Sequence, residues 1–335
     1  MLKVIADQPA IRKFTRQFVQ KFKPFIDEKI KIKLGHQGAS FPAKVFWSKK
    51  LGIWMFSHAV KEVRYWNAFG VGKPAPGEVV SITAEINFPW SGIDRKTGGA
   101  FATDAWGNIY AIHRGKIGGG KKGVGKSLFE HNYRGVWSFM EDGDCVTHAA
   151  VIGALTSTRF ALQAAQFVKK IEILKSSAVR CAQTGLNFPE ITFRENLVGN
   201  LPVSGEPDVT AECDRDLVIS SLASLLQRWK FRIGNDDNHE LFVVDSAGSG
   251  ISHAFEVLTD TREKNVLAAV ARLLLHVSAC AEKPLLVLVL PEEKINHYTQ
   301  VLQQMSIAVT SFRLEEDRII FPDLGKIRLD QNPQL

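Results

Sequence analysis

The chain has 335 residues, with 42 Lys plus Arg against 35 Asp plus Glu and a formal net charge of +7. Hydrophobic residues at 45% and charged residues at 23% are ordinary for globular protein, which excludes wholesale disorder. The length suggests about two domains of roughly 150 residues each. The charge is unevenly placed: residues 1–200 hold 29 basic and 15 acidic side chains, whereas residues 201–335 hold 13 and 20. A basic front half joined to an acidic back half reads as two modules, the first facing a polyanion.

The opening Met1–Asp7 carries no apolar stretch of signal-peptide length. The longest apolar runs, Ala149–Leu155 and Leu285–Leu290, fall far short of the roughly 20 residues that span a bilayer. Cys145, Cys181, Cys213 and Cys280 form no CxxC pair, so neither a disulfide framework nor a zinc finger is expected. A cytoplasmic setting follows as the expectation.

Along the chain, residues 8–23 predict an amphipathic helix with Ile11, Phe14, Phe18, Val19 and Phe22 on one face. Arg12, Lys13, Arg16 and Lys21 lie on the other, and a solvated face is the simplest reading of them. Residues 29–110 are strand-rich: Lys29–Leu34 alternates with period two, and Glu78–Ile86 continues the style. Gly107-Asn108 predicts a tight hairpin turn between Phe101–Trp106 and Ile109–His113. Val136–Leu155 gives two strands around Asp142-Gly143-Asp144, and a helix follows over about Ser157–Leu174. Ser176-Ser177, Pro189, Gly199, Pro202, Gly205 and Pro207 break every period, which places a connector at 176–210. Beyond it come a helix over Asp214–Trp229, strands at Leu241–Val244 and Ser252–Leu258, and a helix over Lys264–Ser278. A doubly buried strand at Leu285–Leu290, a helix over Ile295–Met305 and a last strand at Ile307–Phe312 complete an α/β module.

Gly120–Ser127 fits the phosphate-loop pattern GxxxxGK[ST] letter for letter. That chemistry needs a buried parallel strand before the loop and a sound helix after it. Here the preceding stretch is half polar, and Gly135 limits the following helix to about Leu128–Tyr133. The segment reads better as a basic loop that meets a nucleic-acid backbone through Arg114, Lys116, Lys121, Lys122, Lys126 and Arg134. Six of seven tryptophans fall in the same half: Trp47, Trp54, Trp66, Trp90, Trp106 and Trp137. Beside cations they suit stacking on unpaired bases, although at strand spacing most are expected in the core.

In the back half, Ala211-Glu212-Cys213-Asp214, Asn235–Asp245 and His253–Thr261 follow one another in an order and spacing that resembles the restriction-endonuclease-like superfamily, PD-(D/E)XK, over about residues 205–325. The resemblance implies a mixed sheet flanked by helices, with an acid on one strand and acid-x-Lys on the next holding Mg²⁺ beside the scissile phosphate of DNA. Carried over, Glu256 is the acid of the triplet, and Glu240 the first metal-binding acid ahead of Asp245. Glu212 is a helix-borne acid. Leu258 stands at the lysine position, and Ala271-Arg272 where many relatives carry Gln. Lys264 is the candidate for a relocated lysine.

The sequence therefore predicts an α+β domain rich in antiparallel strands at 1–175 and a connector at 176–210. An α/β restriction-endonuclease-like domain at 211–326 and a tail at 327–335 follow. Expected function is DNA binding with Mg²⁺-dependent phosphodiester cleavage by Glu240, Glu256 and Lys264, the two glutamates holding the metal. The alternatives are a catalytically inactive DNA-binding or regulatory protein, and a nucleotide-binding protein using Gly120–Ser127. A homodimer is expected from the pairing of two-fold DNA with dimeric readers.

Overall fold

A computed structural model describes residues 1–36, 38–115, 117, 125–180, 209–236, 239–245, 250–277, 280 and 283–327. The chain is mixed α+β and divides into two compact units, one holding residues 1–180 with 209–213 and the other residues 214–327. Among the described residues, no helix is long and apolar enough to cross a membrane.

The first unit begins with strand β1 (Leu2–Val4) and helix α1 (Gln8–Phe22). Asp7 caps α1 by accepting the Ala10 N–H at 2.9 Å, and Pro9 sits in the first turn, where no backbone donor is missed. A meander follows: β2 (Glu28–His36), β3 (Ala39–Ser48), β4 (Ile53–Val60) and β5 (Arg64–Val71). Short strands β6 (Val79–Ser81), β7 (Ala84–Glu85) and β8 (Phe88–Pro89) complete a sheet in the order β6-β2-β3-β4-β5-β7, with β8 also on β5. In β2, Ile30, Ile32 and Leu34 are buried while Lys29, Lys31 and Lys33 are exposed, as period two requires. Trp54 lies so close over Gly70 that an added Cβ would stand 2.3 Å from its ring. Only glycine fits there.

The remaining strands of this unit, β9 (Gly99–Thr103), β10 (Ile109–His113), β11 (Val136–Asp142) and β12 (Cys145–Ala154), close with β1 into a barrel ordered β1-β11-β12-β10-β9. Ala100, Ala102, Ala149 and Ala154 line an interior too narrow for large side chains throughout, and Met140, Ile112 and Cys213 fill it. The expected two-residue turn is instead a loop over 104–108. The Asp104 carboxylate holds it by accepting the backbone N–H of Trp106 and Asn108 and the Tyr110 hydroxyl. A short helix α2 (Lys126–Asn132) precedes β11.

Helix α3 (Phe160–Arg180) packs its phenylalanines against α1 and the sheet: Phe18 meets Phe160 at 5.5 Å and Phe88 at 5.0 Å, both edge-on. It runs through Ser176-Ser177, expected in the connector, because serine costs a helix only a few tenths of a kcal/mol. The next helix, α4 (Val209–Arg228), begins two residues before the connector's expected end.

In the second unit, β13 (Ile233–Gly234), β14 (Leu241–Val244), β15 (Ile251–Val257), β16 (Leu285–Pro291), β17 (Ile307–Leu314) and β18 (Ile319–Ile320) form one sheet in chain order. The pairs β13-β14 and β14-β15 are antiparallel, whereas β15-β16 and β16-β17 are parallel. Helices α5 (Glu263–Val277) and α6 (Ile295–Gln304) make the two parallel crossovers. Val287 and Val289 face Val218, Ile219 and Leu222 of α4, while Leu286, Leu288 and Leu290 face Val266, Val270 and Leu273 of α5. This is the strand buried on both faces that the unbroken apolar run predicts.

Candidate functional site

The acids singled out in the second unit do converge, but on arginines. Glu240 stands just before β14, and Glu256 is on β15, 3% exposed. Arg215 of α4, itself buried, donates through Nη2 to Oε1 of Glu240, and the same nitrogen lies 3.6 Å from Oε1 of Glu256. Its Nε donates to the Val257 carbonyl at 2.8 Å, which fixes the guanidinium beside β15. Arg272 of α5 donates Nε to Glu256 Oε1 at 2.8 Å and adds a second bond through Nη2. The result is an alternating chain, Glu240–Arg215–Glu256–Arg272, with each carboxylate matched by a fixed cation.

This donor set does not fit Mg²⁺. A hard cation needs carboxylate oxygens turned toward it, and the faces of Glu240 and Glu256 described above are turned toward guanidinium groups. Among the described residues, no group of three His, Cys, Asp or Glu side chains could hold a metal ion. Leu258 is buried with the apolar residues against α5, and Lys264 is exposed in the first turn of α5. The cation at Glu256 is therefore Arg272 from the third turn of α5, not Lys264. Asp245 is partly buried at the end of β14, where its N–H bonds to the Gly250 carbonyl.

Of the basic residues assigned to a backbone-binding loop, Lys116, Lys121 and Lys122 lie outside the described residues. Arg114 is structural: Nε and Nη2 make a bidentate pair with Asp142 at 2.8 and 2.7 Å, and Nη1 reaches the Thr97 and Gly99 carbonyls. With the two side chains 10% and 1% exposed, this pair ties β10 to β11 from inside and leaves no donor face for phosphate. Lys126 opens α2 with its ammonium 3.6 Å from Glu130, and Arg134 donates to the His131 carbonyl at 2.8 Å. Gly120–Val124 of the phosphate-loop match are outside the described residues. Strand β10 before it is antiparallel to both neighbours, and α2 after it has seven residues. That is not the parallel-strand and long-helix setting a phosphate loop uses.

A groove of about 580 Å³ in the first unit was not expected as such. Its one wall is the polar face of α1 with Arg12, Arg16 and, just past the helix, Lys23; the facing wall comes from the β4–β5 hairpin with His58, Lys61 and Tyr65. The pairing of Tyr65 with Phe88 brings β8 alongside β5 and delivers Trp90 over Tyr65, with ring centroids 5.1 Å apart and planes at 17°. No Asp or Glu lines the groove, and Arg12, Arg16 and Lys23 form no ion pair among the described residues. Tyr65 is 8% exposed, and its buried hydroxyl has no hydrogen-bond partner among the described residues. The other tryptophans of this unit divide cleanly: Trp47, Trp54, Trp66 and Trp137 are core, and Trp106 is 82% exposed on the 104–108 loop.

The arginines of α1 were visible in the sequence one helical turn apart. What no local pattern carried was their meeting with Tyr65 and Trp90, which depends on the β5–β8 pairing. Comparison with protein-family models, with curated proteins and with solved structures finds no match.

Proposed function

We propose that the protein binds DNA through the cationic groove of its first unit, and that its second unit is a nuclease-like module that does not cut. The observation that carries the reading is the acid-free groove, where Arg12, Arg16, Lys23 and Lys61 stand beside Trp90. Arg12, Arg16 and Lys23 form no ion pair among the described residues, and Lys61 stands 3.6 Å from the exposed Glu62. Cations gathered on one face release the counterions of a polyanion and supply affinity without reading sequence. The second unit has a mixed sheet with helices packed on it, the arrangement that the restriction-endonuclease-like resemblance implies, with Glu240 just before β14 and Glu256 on β15. That arrangement supports the nuclease-like reading of form, while Leu258 at the lysine position and the two arginines on the acids support a module without metal chemistry.

The test is a salt titration of binding to a short DNA duplex. Four phosphate contacts give a slope near −4 in log K against log salt, so affinity falls about a hundredfold between about 50 and 200 mM. The same duplex incubated with Mg²⁺ stays intact. Cleavage that disappears in Glu256→Ala overturns the non-cutting reading; binding that ignores salt overturns the DNA reading.

A further inference from the structure

We infer that the groove takes an extrahelical nucleotide, so that the protein prefers DNA carrying an unpaired base over a fully paired duplex. The inference rests on the DNA-binding reading above and names what that site holds. A paired base has both faces covered by its neighbours and cannot reach a side chain set into a groove. Phosphates alone are satisfied by an open basic face; they do not call for a recess with an aromatic floor.

Here the recess and the floor are both present. The groove's volume, about 580 Å³, lies in the range of small-molecule sites. Trp90 is half-buried and already stacked on Tyr65 through one face, so the pair forms a rigid platform to which a base adds as a third ring. Arg12 and Arg16, four residues apart on α1, rise about 6 Å along the helix, which lets them hold one phosphate together or two in succession. Cations and a stacking surface share one recess, and together they suit a nucleotide. An acidic peptide uses only the first of the two.

The experiment compares binding of two otherwise identical duplexes, one fully paired and one with a single central unpaired nucleotide, by fluorescence anisotropy. The wild-type chain binds the second about tenfold more tightly. Trp90→Leu removes the stacking surface and brings the two affinities to within about twofold of each other. A thermal melt of the variant confirms that it is folded. Equal wild-type affinity for the two duplexes overturns the inference and leaves the DNA-binding reading standing. Absence of salt-sensitive binding to either duplex overturns both. Competition by polyglutamate as effective as by single-stranded DNA of equal charge also overturns the inference, because the groove then reads charge alone.

Discussion

Arg272 donates two hydrogen bonds to Oε1 of Glu256, one of them from Nε at 2.8 Å, and so sets a guanidinium against the acid expected from the sequence to hold a metal. Arg215 flanks the same oxygen at 3.6 Å from the other side. The pairing makes Glu256 part of the frame that joins α4, β15 and α5.

A frame of this kind fails when one partner is removed. Glu256→Ala leaves Arg215, 6% exposed at its side chain, with only part of its compensation, and unfolding free energy drops by about 3–5 kcal/mol. Chemical denaturation measures the loss. In the wild-type chain, millimolar Mg²⁺ leaves the melting temperature of the second unit unchanged, whereas a metal bound at a hundred times its dissociation constant would add about 2.7 kcal/mol.

Arg114 is expected to behave as a structural residue. Arg114→Ala strips the Asp142 carboxylate, 1% exposed, of its bidentate partner inside the barrel and destabilises the first unit by about 3–5 kcal/mol. The salt slope of DNA binding, measured where the variant is folded, stays at the wild-type value. A reduced slope with normal stability would return Arg114 to the binding surface.

How much of this was legible beforehand follows from the range of the interactions involved. The period-two run Lys29–Leu34, the phenylalanine stripe of α1 and the doubly apolar Leu285–Leu290 each identify their element because burial acts on neighbouring side chains of one strand or helix. The convergence of Glu240 and Glu256 was also legible, since adjacent strands of a hairpin bring them to one edge. Their arginine partners were not: Arg215 and Arg272 are on helices whose positions over the sheet depend on long-range packing. The same holds for the groove, where Trp90 reaches Tyr65 only through the β8–β5 pairing. Arg114 shows the reverse failure. Its place in a basic segment suggested phosphate contact, and a carboxylate 28 residues away decided otherwise.

His113 gives the first unit a pH dependence with a definite sign. The ring is buried, with Nδ1 accepting the Gly115 N–H at 3.0 Å and Nε2 3.2 Å from the Glu85 carbonyl, to which it donates. Desolvation, reinforced by the Arg114 charge and opposed by that carbonyl, pushes its pKa down from 6.5 to about 4. Between those values the unfolded chain binds the extra proton and the folded chain does not. Stability is therefore full above about pH 6.5 and falls toward pH 4, by about 3 kcal/mol in all. Urea unfolding across this window shows the decline in the wild-type chain, and His113→Asn flattens it whatever its effect at neutral pH. An unchanged slope in the variant would place the proton elsewhere.

The central claim is that the acid-free face of α1 holds DNA. Its most direct test is the salt dependence of duplex binding in the double variant Arg12→Ala/Arg16→Ala, two exposed positions whose loss leaves the buried face of α1 intact. Removing two phosphate contacts reduces the magnitude of the log–log slope by about 2 and weakens binding most at low salt. A folded double variant with the wild-type slope and affinity would contradict the account.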